Sequence, residues 1–178
     1  MALSLSEVLA NPALAARRLE LGGELFGVRA TRGWAVSSGA AIVEMTLAPL
    51  PALGADGYPV EDIRIVVLTE DHVLADQRAY AYAKSRPGRA FLHRNPPPSR
   101  SLCLFYERDD PGLKWLPTDS LEEFVNIVRR HLIYEEYNRR NHRWPIEDAP
   151  HGWADPGGHP VLTPQMRSFQ HRWARTAT

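Results

Sequence analysis

Three segments with the composition of β-strands follow one another in the first half of the chain, without a helical pattern between them. They span residues 24–31, 40–48 and 62–69, and they are rich in β-branched or alternating apolar side chains. Gly33 is expected to break the first strand, and Pro49 ends the second. Parallel strands need a long crossover, usually a helix, so this order indicates an antiparallel meander and an α+β fold.

Helix-start signals precede the strand region. Ser4 and Glu7 have the spacing of a capping box. Asn11 followed by Pro12 predicts a second start, because asparagine caps helices and proline suits the first helical position. The glycine pair at 22–23 is expected to end this helical stretch.

A longer helical pattern follows residue 117. Asp119 and Glu122 have capping-box spacing, and Pro145 is expected to end the helix. Apolar residues recur at helical intervals and predict one buried stripe, namely Leu121, Phe124, Val125, Val128 and Leu132. Charged residues occupy much of the remainder of the helix, namely Glu122, Glu123, Arg129, Arg130, Glu135, Glu136, Arg139 and Arg140.

Weaker patterns leave two parts of the chain open. Residues 70–88 are ambiguous, and residues 79–84 fit either a helix or a strand. We expect a single domain over the whole chain, with a core of about 1–145 and a Pro/Gly/Trp-rich tail, 146–178, packed on it. A short helix at 165–175 is expected within that tail.

Composition excludes several classes of protein. The chain has 178 residues, and its 21 basic and 21 acidic side chains cancel, so no broad attraction to nucleic acid or to an anionic membrane is expected. A single cysteine forms no internal disulfide, which favours a reducing, cytoplasmic setting. We expect no signal peptide, because the N-terminus lacks a basic segment followed by an apolar one. No apolar run approaches the ~20 residues of a membrane span.

The one cysteine, Cys103, is flanked by three ordered motifs. Asn95 precedes it by eight positions and ends a His-Arg-Asn triplet that begins at His93. The cysteine itself lies in a Leu-Cys-Leu triplet at 102–104, and Trp-Leu-Pro follows at 115–117. Alone, such a thiol is either a buried small hydrophobe or a nucleophile, since free cysteine is common in protein cores.

Together these motifs resemble the active-site signature of the ubiquitin-conjugating enzymes, the UBC-like family. That signature is a His-Pro-Asn triplet, a cysteine eight residues after the asparagine, a Trp-x-Pro motif and then a helix. Arg94 replaces the proline here, residues 96–98 are all proline, and the loop after the cysteine is longer. The resemblance implies a UBC-like fold: an N-terminal helix, an antiparallel β-meander, an active-site loop with the cysteine, and C-terminal helices.

A narrower resemblance is to the bacterial antiphage branch of this family. The carrying segments are Leu-Cys-Leu-Phe-Tyr at 102–106, a Tyr- and Glu-rich helix at 132–137, Trp-Pro at 144–145 and Pro-His-Gly at 150–152. Similar segments occur in the stand-alone conjugating enzymes of cyclic-oligonucleotide antiphage (CBASS) operons. This implies that the cargo is the C-terminus of a cGAS-like nucleotidyltransferase. The rival cargo is a ubiquitin-like modifier, and the need for an activating enzyme is left open.

The resemblance implies a role for each site residue. Cys103 would carry an acyl group as a thioester. Asn95 would donate its side-chain amide to the tetrahedral oxyanion, or else cap the turn before the prolines. His93 would order the loop, with a general-base role as the alternative. An acid in the loop 107–110 would steer the incoming lysine, although the same residues also suit a solvated turn.

Two rival functions and the absence of a cofactor complete these expectations. A catalytically inactive UBC-like binding module is the first rival. A cysteine hydrolase is the second, although hydrolases usually place the nucleophile at a helix N-terminus. His131, His142, His151 and His159 are scattered, and with only one cysteine no zinc-ligand pairing is present, so neither a metal nor a cofactor is expected.

Overall fold

Four helices and four strands make up the described part of the protein. The computed structural model describes residues 2–22, 27–37, 39–69, 78–84, 91, 93–95, 100–104 and 114–145. The elements in chain order are α1 (Leu5–Ala10), α2 (Pro12–Gly22), β1 (Val28–Ser37), β2 (Ala40–Leu47), α3 (Pro51–Ala55), β3 (Glu61–Leu68), β4 (Ala79–Ala83) and α4 (Leu121–Asn141). The fold class is therefore α+β, as the segregated sequence pattern predicts.

The strands form one antiparallel sheet in the order β1-β2-β3-β4. The register is visible in one row of paired residues that crosses the whole sheet, Gly33, Val43, Ile65 and Ala81. Neighbours in the sheet are also neighbours in the chain, which confirms the predicted meander. The ambiguous segment 79–84 contributes the last strand.

Both N-terminal helix signals are confirmed. Ser4 Oγ accepts the N–H of Glu7 at 3.3 Å, and the Glu7 carboxylate accepts the N–H of Ser4 at 2.8 Å, which closes the capping box. Asn11 Oδ1 caps α2 by accepting the N–H of Leu14 at 3.0 Å. The helix ends at Gly22, as the sequence predicts.

Gly33 does not end the first strand, contrary to the sequence expectation. It lies inside β1, where it pairs with Val43. A Cβ atom built on Gly33 would lie 2.0 Å from the carbonyl oxygen of Pro12. Glycine is therefore required because the start of α2 crosses directly over this strand, and close backbone approach is a recognised reason for glycine within a sheet.

Helix α4 begins and ends at residues other than those predicted. Its capping box is formed by Ser120 and Glu123, not by Asp119 and Glu122. The carboxylate of Glu122 instead accepts the N–H of Leu3 at 2.9 Å, which joins this helix to the N-terminus. The helix stops at Asn141, before Pro145, because the next residue adopts a left-handed conformation with a φ of 53°.

The main core lies between the helices and one face of the sheet. It combines the buried residues of α1 and α2 with alternate residues of the strands and with the predicted stripe of α4. Four of the five stripe residues are buried, and Leu132 is half-buried. A smaller apolar cluster on the opposite face contains Ile42, Val66, Tyr80 and Tyr82. No helix in the described part of the chain is both long enough and apolar enough to cross a membrane.

Several sequence expectations fall on residues outside the described part. They are the first half of the first predicted strand, the triple proline 96–98, the acidic loop 107–110, the tail 146–178 and the helix at 165–175. These stay predictions.

Candidate functional site

The cysteine lies on one of two short segments that pair with each other. The N–H of Asn95 donates to the carbonyl of Ser101 at 2.9 Å, and the N–H of Cys103 donates to the carbonyl of His93 at 3.1 Å. Between these two hydrogen bonds, Arg94 and Leu102 form an isolated antiparallel bridge. The backbones of all three sequence-predicted site residues are thus joined in a single pairing, which we call the cysteine hairpin and which consists of residues 93–95 and 101–103.

The cysteine hairpin is attached to the edge of the sheet. The N–H of Leu102 donates to the carbonyl of Ala81 on β4 at 2.8 Å. The Leu102 side chain is buried in the main core, whereas Cys103 is half-buried. Alternation along an extended segment explains this difference, since adjacent side chains point to opposite faces. The thiol consequently lies next to a rigid element without being sealed in the core.

The Asn95 side chain binds within the cysteine hairpin. Its amide nitrogen Nδ2 donates to Ser101 Oγ at 2.9 Å and lies 3.5 Å from the carbonyl of Leu102. Ser101 is fully buried, so this bond joins the two paired segments from inside. Both roles expected of Asn95, as oxyanion donor and as cap of the turn before the prolines, stay predictions, because residues 96–99 lie outside the described part of the chain.

His93 connects the hairpin to α4 and to the residues that follow it. Its N–H donates to Glu135 Oε1 at 2.6 Å. Its ring stacks on Trp144, with ring centroids 4.2 Å apart and an interplanar angle of 14°, and it lies 5.6 Å from the ring of His131. These contacts suit the loop-ordering role expected of His93, and no general-base role is tested by them.

Arg94, the middle residue of the His-Arg-Asn triplet, makes side-chain contacts that a proline at this position would lack. One guanidinium nitrogen donates to the carbonyl of Ala83 at 2.8 Å and another to the carbonyl of Arg100 at 3.3 Å. The guanidinium carbon lies 5.2 Å from the Phe91 ring centroid. Burial lowers the pKa of Arg94 from its ordinary value, and the nearby Glu135 carboxylate opposes that change. Arg94 therefore ties the hairpin to the end of β4.

The sequence reasoning missed a group of buried polar residues on α4. The sequence placed Arg129 and Glu135 among the charged residues outside the apolar stripe, but they are 7% and 1% exposed, and His131 is 6% exposed. His131 Nε2 lies 3.7 Å from Glu135 Oε1. Periodicity contained the missing signal, because Glu135 follows Val128 of the apolar stripe by seven residues and so shares its face.

Trp115, from the Trp-Leu-Pro motif, is a core residue that supports the start of α4. It is 4% exposed and meets the Phe124 ring edge-on, with centroids 5.0 Å apart. Its indole N–H donates to the carbonyl of Ser120 at 2.9 Å. A buried tryptophan usually finds such a partner for its N–H.

The arrangement suits thiol chemistry on a fixed backbone. A half-buried cysteine is held by main-chain hydrogen bonds, with an amide side chain and an imidazole on the paired segment. Among the described residues, no group of three or more His, Cys, Asp or Glu side chains is arranged to hold a metal ion.

A scan against protein-family models finds no match, and searches of curated proteins and of solved structures find none either.

Proposed function

We propose that this protein is a ubiquitin-conjugating-enzyme-like acyl carrier. Cys103 would form a thioester with the C-terminus of a protein and pass that acyl group to an amine. The observation that carries the proposal is the cysteine hairpin, in which the half-buried Cys103 is hydrogen-bonded to His93 at the edge of an antiparallel meander. The order of elements, with a long helix after the hairpin, agrees with the UBC-like fold that we propose.

The chemistry needs two nucleophilic displacements at one carbonyl. In the first, the Cys103 thiolate attacks an activated C-terminal carbonyl, a sulfur–carbon bond forms and the activating group leaves. In the second, an amine attacks the thioester, loses a proton, and the cysteine leaves as thiolate. Both steps pass through a tetrahedral oxyanion, and one well-placed donor at that oxygen contributes about 3 kcal/mol. Asn95 would supply this donor by turning its amide from Ser101 towards the oxyanion.

Motif resemblance supports the choice of cargo. We propose the C-terminus of a cGAS-like nucleotidyltransferase, with a bacterial ubiquitin-like modifier as the alternative. Both present a carboxyl terminus to the same thiol, so mixing the protein with each purified candidate distinguishes them. An activating enzyme and ATP are included in parallel reactions, because a free carboxylate does not acylate a thiol unaided.

The decisive experiment uses substitution of the single cysteine. Wild-type protein is expected to form an adduct with its cargo that reducing agent releases. Cys103→Ala is expected to abolish the adduct, and Cys103→Ser to convert it into an ester that resists the reducing agent. An adduct that persists in Cys103→Ala would refute the assignment.

A matched pair of variants separates catalysis by Asn95 from support of the turn. Asn95→Ala removes the amide, whereas Ser101→Ala removes only its acceptor in the cysteine hairpin. A catalytic amide predicts that Asn95→Ala slows amine transfer by about a hundredfold, with thioester formation intact and Ser101→Ala near wild type. Equal slowing in both variants would assign Asn95 to the turn.

An inactive binding module is the second candidate, and the engagement of the Asn95 amide with Ser101 Oγ is the observation in its favour. Reaction with iodoacetamide near neutral pH tests it. An inert thiol resists alkylation in the folded protein, whereas an acyl carrier must admit a small electrophile. Rapid alkylation of the wild type would therefore exclude the sealed-thiol form of this candidate.

A further inference from the structure

We propose that Glu135 is the positioning residue for Cys103 and that it acts through the main chain of His93. Glu135 Oε1 accepts the N–H of His93 at 2.6 Å. The carbonyl of His93 in turn accepts the N–H of Cys103 at 3.1 Å. Two consecutive hydrogen bonds thus connect the middle of α4 to the peptide unit of the cysteine.

The burial of Glu135 indicates a specific purpose for its carboxyl group. The side chain is 1% exposed, and burying such a polar group is costly unless polar partners surround it. His131 Nε2 lies 3.7 Å from Glu135 Oε1, and Arg94 interacts with the same side chain electrostatically. A carboxyl oxygen buried in this polar group therefore holds the His93 N–H at short distance.

A second anchor allows the role of Glu135 to be separated from general support of the fold. Leu102, the residue before the cysteine, donates its N–H to Ala81 on β4 and buries its side chain in the core. The hydrogen bond of this anchor joins the hairpin to β4 and involves no atom of α4. Loss of Glu135 should therefore release His93 and Cys103 while leaving Leu102 protected.

Amide hydrogen exchange of the full chain, followed residue by residue by NMR, tests this inference. In Glu135→Ala, the amides of His93 and Cys103 are expected to exchange about tenfold faster or more, because the variant removes the buried acceptor of the His93 N–H. The Leu102 amide should stay within about twofold of wild type. Glu135→Gln keeps an acceptor oxygen and is expected to restore most of the protection. Glu136→Gln is the matched control, because the ion pairs described for Glu136, with Arg139 and Arg140, lie within α4.

Two results in Glu135→Ala would refute the positioning role. One is an unchanged exchange rate at the His93 amide. The other is an equal acceleration of exchange at the Leu102 amide, which would indicate a general loosening of the fold. If Glu135→Ala does not fold, Glu135→Gln decides, with faster exchange at His93 and Cys103 than at Leu102 as the supporting result. The functional importance of positioning Cys103 rests on the proposed acyl transfer, but the measurement of amide hydrogen exchange needs no cargo protein. A wild-type protein that forms no thioester would therefore overturn the proposed function without altering this test.

Discussion

Replacing Gly33 with alanine tests the close approach of α2 to β1, which seats the N-terminal helices on the sheet. A Cβ at this position would lie 2.0 Å from the carbonyl oxygen of Pro12 and 2.5 Å from its carbonyl carbon. Real Cβ atoms essentially never come within 3.0 Å of another heavy atom, so α2 must retreat by about 1 Å or more. Both contacts are with main chain, so no side-chain rotation relieves them.

The loss of stability follows from the contacts that a displacement of α2 would disturb. Helix α2 contributes Ala15, Ala16 and Leu19 to the main core, and Thr31 Oγ1 donates to the carbonyl of Ala16 at 2.8 Å. Overpacking usually costs about 1–3 kcal/mol, and a clash with backbone belongs at the upper end, so we expect a loss of about 3 kcal/mol. For a domain of this size the melting temperature should then fall by about 9 °C.

Urea denaturation followed by far-UV circular dichroism measures this loss. Gly22→Ala is the matched control, because a Cβ there meets nothing within 4 Å. Alanine favours helix over glycine by up to about 1 kcal/mol, so this control should be neutral or slightly stabilising. If the free energy of unfolding of Gly33→Ala lies within about 0.5 kcal/mol of the wild-type value, or equals that of the control, the close approach of α2 to β1 is contradicted.

The capping boxes and the ion pairs of Glu44 carry three further predictions. Ser120→Ala removes the α4 cap and is expected to lower the free energy of unfolding in urea by about 1 kcal/mol. Burial raises the pKa of Glu44, but hydrogen bonds from Arg64 and a second arginine outweigh it and leave the pKa below its ordinary value. The stability gap between wild type and Glu44→Gln should therefore be full near neutral pH and shrink as the pH falls below the ordinary carboxyl pKa. The N–H of Ser4, aided by a neighbouring arginine, lowers the pKa of Glu7 to about 2. An NMR titration with a midpoint at the ordinary value of 4.5 would contradict that capping box, whose contribution should fade between 4.5 and about 2.

The strands show how far sequence reasoning reaches. Strands β2 and β3 are β-branched and buried, so their composition alone identified them. Strand β4 was ambiguous because it alternates alanine, a helix former, with tyrosine. Tertiary context resolves this: the alanines face the helix-covered core, whereas Tyr80 and Tyr82 join the cluster on the other face.

The start of α4 shows why a short motif can be misplaced by one residue. Two overlapping pairs have capping-box spacing, and only geometry chooses between them. Asp119 uses its carboxylate to accept the N–H of Leu116 at 2.7 Å, which leaves Ser120 to cap the helix. The spacing predicted a helix start correctly, but it could not specify which polar residue was already engaged in the preceding turn.

Glu135 shows a different limit of the sequence reasoning, and that limit bears on function. It was grouped with the charged residues outside the apolar stripe, although its spacing from Val128 places it on the buried face. Natural sequences break such local rules mainly where function or specificity compensates. Here the buried carboxylate accepts the N–H of His93 directly beneath the paired cysteine segment. The residues that carry the motif therefore do not account for the placement of Cys103 by themselves, because part of that placement depends on Glu135, a helix residue 32 positions further along the chain.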